Sequence, residues 1–123
     1  MKRLRGAFVL LLAGWTPWTA PNSAVDAGNR ALASGRFDDA LAAYARAASD
    51  GAVDPGGLAY DRGTAELQKA DAATNPDEKQ KWRAKGLMDL EAARRSPDAH
   101  VRADAAYNRG NELMSEEKWG DAA

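Results

Sequence analysis

The side chains able to do chemistry in this chain are few. His100 is the single histidine among 123 residues, and there is no cysteine. Thiolate nucleophiles, disulfides, thiolate metal ligands and lipid attachment at cysteine are therefore excluded. An imidazole working as a general base needs a nucleophile or a carboxylate set against it. His100 follows Ser96-Pro97-Asp98 at the start of a helical stretch with no such partner in the sequence, and reads as a solvated surface side chain. Asp38-Asp39 and Glu116-Glu117 are neighbouring carboxylates, but successive helical residues point about 100° apart, so neither pair converges on one substrate. Both pairs suit the first turn of a helix, where negative charge offsets the positive end of the dipole. Pro55-Gly56-Gly57 has no Lys-Ser/Thr after it and is not a phosphate loop. No nucleophile–base set assembles, so the expectation is a non-enzyme with no catalytic residue, metal or cofactor.

What remains is the scaffold. In Gly35–Ala48, Phe37, Leu41, Tyr44 and Ala48 recur at steps of four, three and four, which places them on one face of a helix. Ala40 and Ala47 lie beside that stripe and let another helix come close. Gly35 stands where a preceding helix needs a left-handed residue to stop. This stretch reads as the second helix of a tight hairpin. Upstream, Asn22 or Ser23 is placed to cap a helix carrying Val25, Gly28 and Leu32. Downstream, Asp50–Gly57 is dense in turn residues and reads as a loop. Leu58–Asp71 is predicted helical, Ala72–Pro76 breaks it, and Asp77–Arg95 forms a long helix with Trp82, Gly86, Leu90 and Ala93 on one side. Ser96 is expected to cap the next helix, with Pro97 at its first position. That helix runs to Ser115, and Glu116–Trp119 reads as a turn. Strand signals are nearly absent.

The ends of the chain carry their own signals. Lys2, Arg3 and Arg5 precede the uncharged run Ala7–Ala13, the pattern of a secretory signal peptide. Gly14, Pro17 and Pro21 interrupt the apolar stretch, which is short and broken against the roughly 20 residues of a spanning helix. Residues 1–24 are thus expected to be a signal peptide or N-terminal anchor, with cleavage near Ala24, and 25–123 the helical domain. Removing Lys2, Arg3 and Arg5 from the 17 basic residues leaves 14 against 18 acidic ones, a net charge of −4. That balance argues against nucleic acid as a partner.

Laid on itself, the chain repeats. Ala59-Tyr-Asp-Arg-Gly63 matches Ala106-Tyr-Asn-Arg-Gly110, and Ala24–Gly28 is a weaker copy. The glycines are 35 and 47 residues apart, which fits a unit of about 34 residues with about 13 extra in the second, for which the polar stretch Asp71–Lys81 has room. As a helix extension or as a loop, the sequence leaves that insertion open. Each of these glycines falls inside a predicted helix at a cost of about 1 kcal/mol against alanine, and its use is to let a paired helix approach.

That period and those residues resemble the tetratricopeptide repeat family. Its pattern places a small residue in the first helix, as at Gly28, with aromatics at Phe37 and Tyr44 and alanines at Ala40 and Ala47 in the second. The second unit offers Gly63, then Gly86, Leu90 and Ala93, with Glu66 at a normally apolar position. The third offers Gly110, Leu113, Trp119 and Ala122. The resemblance implies an all-α solenoid of antiparallel helix pairs, about two and a half repeats from Ala24 to Ala123, with the chain stopping as a sixth helix begins. An N-terminal fragment of a longer repeat protein is expected on that basis.

The resemblance also implies a concave groove lined by the first helices. Its residues are Asn29, Leu32 and Ala33; Tyr60, Thr64, Leu67 and Gln68; and Tyr107, Asn111, Met114 and Ser115. Asn29 and Asn111 have amides for an extended peptide backbone, and Tyr60 and Tyr107 offer wide contact with a polar tip. The plainer alternative is that these residues only pack helices together. Ala33 and Ser115 stand where the family's carboxylate-clamping members need lysine, which disfavours a C-terminal carboxylate as ligand. The implied function is an exported scaffold binding another protein or a peptide segment in the bacterial periplasm or envelope, touching a membrane only through an uncleaved leader. The leader with AYNRGN-type repeats is also similar to repeat proteins encoded beside von Willebrand A-domain proteins in aerotolerance (Bat) clusters, which suggests an envelope complex. Two alternatives stay open: a self-associating structural module, and the helical N-terminal region of a longer envelope enzyme.

Overall fold

The computed structural model describes residues 22–122, with side chains placed as far as Glu116. The leader expectation rests on residues 1–21 and lies outside the described residues, as does the expected role of the Trp119 side chain. Among the described residues the chain is all-α, with helices α1 (Ser23–Ala33), α2 (Phe37–Ala47), α3 (Pro55–Ala72), α4 (Pro76–Ala93) and α5 (Ala99–Ala122). None is long and apolar enough to cross a membrane.

Local chemistry sets the helix ends. Asn22 caps α1 by accepting the Val25 N–H at 3.0 Å, and Gly35, at φ +74°, turns the chain out of that helix. Asp54 caps α3 by accepting from the Gly56 and Gly57 amides at 3.1 and 2.9 Å. Asn75 caps α4 through Asp77 and Glu78 at 2.8 and 3.1 Å. Pro55 and Pro76 follow these caps in the first turn, where a missing N–H costs nothing. Gly56 and Gly57, expected in a loop, are therefore helical.

Ser96-Pro97 departs from that pattern. The Ser96 hydroxyl donates to Asp54 Oδ2 at 2.7 Å and accepts from the Asp98 amide at 3.1 Å. With Ser96 so engaged, α5 starts only at Ala99, and Asp98 accepts the His100 N–H at 2.9 Å. Nor is there a turn at Glu116–Trp119, because α5 continues to Ala122. Glu116, Glu117 and Lys118 are good helix formers and offer no break, so a sixth helix does not begin at Trp119.

Three-residue links join α1 to α2 and α3 to α4, and each pair packs as a hairpin. In the first, the Tyr44 ring is fully buried and lies on Gly28; a Cβ there would sit 2.4 Å from Tyr44 Cε1. Ala31, Ala40, Ala47, Leu58 and Ala65 complete that core. In the second, Gly63 faces Leu90 and the Gly86 carbonyl, while Gly86 faces Leu67. Ala59, Leu90, Ala93 and Ala105 form the adjoining core, which carries the packing on to α5. Around Gly110 a Cβ would meet nothing within 4 Å, so the third glycine does not share the close contact of the other two among the described residues.

The extra residues of the second unit are helix, not loop. Gly28 precedes its partner Tyr44 by 16 residues, whereas Gly63 precedes Leu90 by 27. Of the 11 added, four lengthen α3 after Gly63 and seven lengthen α4 before Leu90. Four and seven residues are close to one and two whole turns, so both helices grow without rotating their packed faces.

Both hairpins close at the base in one way. The cap of the first helix bonds a residue three positions past the end of the second: Asn22 Nδ2 donates to Asp50 at 2.7 Å, and Asp54 accepts from Ser96. The Ser96 hydroxyl, outweighing burial and aided by the Gly57 and Gly56 amides, holds the Asp54 carboxyl below its ordinary pKa. A Cβ on Gly56 would lie 2.5 Å from Ser96 Cβ, so that approach requires glycine.

Candidate functional site

Between hairpins, α2 packs on α3 and α4 on α5, with slighter contact of α1 on α3 and of α3 on α5, whereas α2 and α4 make no backbone contact with each other. The first helices α1, α3 and α5 therefore adjoin in a continuous row, called the inner row. Five helices paired and stacked this way are compatible with a helical solenoid.

The inner row is polar, and its polar groups are partly engaged with one another. The Tyr44 phenol reaches through from α2 and donates to Asn29 Oδ1 at 2.7 Å. Burial, then the charge of Asp61, pushes that phenol up to about 12. Asp61, half-buried on α3, is itself pushed up to about 6 by burial. On the other side of α3, the Tyr60 hydroxyl accepts from Asn108 Nδ2 of α5 at 2.8 Å. Thr64 donates to the Tyr60 carbonyl at 2.9 Å. Asn29, Gln68 and Asn111 are exposed, and Tyr107 and Met114 are 70% and 57% exposed. Leu32 is half-buried against the first core and Leu67 against the second, where it meets Gly86. The row thus brings amides and phenols to the surface and turns its leucines toward packing.

Asp61 and Asn108 were missed as groove residues, although a signal for them is present. Both stand two residues before a repeat glycine in Ala-Tyr-Asp/Asn-Arg-Gly, and Asp26 stands at the same register before Gly28.

A second polar cluster lies between α3 and α4. Arg62 grips Asp89 with two bonds, Nε to Oδ2 at 2.9 Å and Nη2 to Oδ1 at 2.8 Å. Glu66 is 5% exposed, and burial, reinforced by its hydrogen bond to Asp89, pushes its carboxyl up to about 8. Asp89 resists the effect of burial: bonds from Arg62 and Glu66 keep it below the ordinary range. The pair holds one proton between two carboxyls, and Glu66 Oε1 has no hydrogen-bond partner. With Glu66 buried and Arg62 and Asp89 partly exposed, this cluster ties α3 to α4.

Surface cavities also lie off the inner row. One, of about 330 Å³ between α1 and α2, has an alanine floor rimmed by Arg30, Arg36 and Arg46. Another, of about 370 Å³ at the lengthened tip of α3 and α4, lies between Phe37 and Trp82. Lys69 stands 3.8 Å over the Trp82 ring and pairs with Asp38. Among the described residues no group of three His, Asp or Glu side chains is arranged to hold a metal ion. Comparison with protein-family models, curated proteins and solved structures finds no match to this chain.

Proposed function

We propose that this chain is an exported helical-repeat scaffold of tetratricopeptide type that holds an extended segment of another protein along the inner row of α1, α3 and α5. The observation that supports the reading is that α1 meets α3 and α3 meets α5 while α2 and α4 do not meet, with Asn29, Gln68, Tyr107 and Asn111 exposed on those first helices. The amides of Gln68 and Asn111, with donor and acceptor both present, suit an extended backbone, and Asn29 adds its Nδ2 donor, while an open tyrosine adds contact area at small entropic cost. The absence of a nucleophile–base pair in the sequence supports a binding role over a catalytic one. The basic, apolar N-terminal run supports delivery to the periplasm or envelope, with an envelope complex as the natural partner.

The test is direct. Segments selected from a random peptide display library on the full chain should lose about tenfold in affinity to a Tyr107→Ala, Asn111→Ala double variant of unchanged helicity. Unchanged affinity removes the groove. Fusion of residues 1–24 to a reporter active only outside the cytoplasm tests delivery; an inactive reporter contradicts it. A self-associating module is a second reading, favoured by Met88 at 73% exposure together with open Tyr107 and Met114. Sedimentation over a wide concentration range decides it, since a monomer at every concentration excludes it.

A further inference from the structure

The least ordinary group on the inner row is the Asp61 carboxylate. It is half-buried where α3 meets the first hairpin, beside the Tyr44 phenol. That phenol donates its hydrogen bond to Asn29 Oδ1, and no hydrogen bond or ion pair reaches Asp61 among the described residues. The cation next to it in the chain, Arg62, is bound to Asp89, and none of the groove positions carries a basic residue. Asp26, at the same register on α1, adds a second carboxylate and no cation. A half-desolvated carboxylate without donors is unfavourable when alone and gains most when a cation arrives. Asn29, whose Oδ1 is occupied by Tyr44, keeps its Nδ2 donor for a passing backbone carbonyl.

We infer that Asp61, flanked by Asn29 in the α1–α3 part of the groove, is the subsite for one arginine or lysine side chain of the bound segment. The inference rests on the groove reading and gives the partner's chemistry: an extended segment with a basic residue, the opposite of a C-terminal carboxylate ligand. A guanidinium forms two charge-assisted bonds to the carboxylate and relieves its isolation, whereas a neutral isostere leaves it unpaired.

The experiment titrates the full chain, at about pH 7.5 where Asp61 is ionised, with a blocked Gly-Ser-Arg-Ser-Gly peptide and with its uncharged citrulline counterpart. Side-chain and backbone chemical shifts are the readout. The arginine peptide should bind about tenfold tighter and move the Asp61 carboxylate resonance. Asp61→Asn should level the two peptides, and Asp26→Asn should not. Equal affinity of the two peptides on the unaltered chain, or a preference that survives Asp61→Asn, overturns the subsite. If the equal binding still shifts Tyr107 and Asn111, the groove reading stands without it. Binding of neither peptide at about 5 mM, well above the weakest specific affinities, overturns both.

Discussion

Glu66 shows how a single buried carboxyl sets a pH response. Its folded pKa, about 8, lies above the ordinary value of 4.5. Between those values the folded state holds a proton that the unfolded chain has released, so stability falls as pH rises through this window and levels off above it. Asp61 acts with the same sign between 3.8 and about 6. Denaturant midpoints should therefore decline from about pH 5 to pH 8. Glu66→Gln, whose amide donates to Asp89 without titrating, should remove the upper part of the decline and add about 1 kcal/mol or more at pH 9. A flat profile in the unaltered chain contradicts the shared proton. The glycines make a second contrast at this scale. Gly28→Ala drives a Cβ into the Tyr44 ring and should cost about 1–3 kcal/mol. Gly110→Ala meets nothing and should gain up to about 1 kcal/mol from helix propensity, as read by thermal melts.

At the scale of elements, caps and register decide the structure. Removing the Ser96 hydroxyl with Ser96→Ala unties the base of the second hairpin and leaves Asp54 short of a donor, and should cost about 1–2 kcal/mol. A double-mutant cycle with Asp54→Ala should give coupling of about 1 kcal/mol; additive losses contradict the link. The helices and their pairing were legible because Phe37, Tyr44, Leu90 and Ala93 repeat at helical steps and Gly35 marks a stop. The start of α3 was misplaced because Pro55-Gly56-Gly57 carries turn chemistry in isolation, while the Asp54 cap and the contact of Gly56 with Ser96 outweigh it. The late start of α5 has the same origin, since the partner of Ser96 is 42 residues away in the chain. Of the candidate residues that the resemblance implies, Asn29, Gln68, Tyr107 and Asn111 are exposed. That Leu67 turns toward Gly86, and that Asp61 faces Tyr44, depends on how two hairpins meet, and local periodicity does not encode it.

For the whole molecule, small residues set how closely the helices pair. Gly28 and Gly63 let α1 approach α2 and α3 approach α4, and alanines continue the packing from one hairpin to the next. Adding residues in steps of four and seven lengthens one hairpin without rotating its packed faces. The row of α1, α3 and α5 carries polar groups that face solvent and one carboxylate without a cation among the described residues, and the proposed ligand is an extended basic segment. The measurement that tests this most directly is chemical-shift mapping of a display-selected peptide on the full chain. The largest changes should fall on Asn29, Asp61, Gln68, Tyr107 and Asn111. Changes confined to Arg30, Arg36 and Arg46, or to Leu87 and Met88 on α4 and Arg95 just past its end, would place the partner off the row of α1, α3 and α5 and contradict the account.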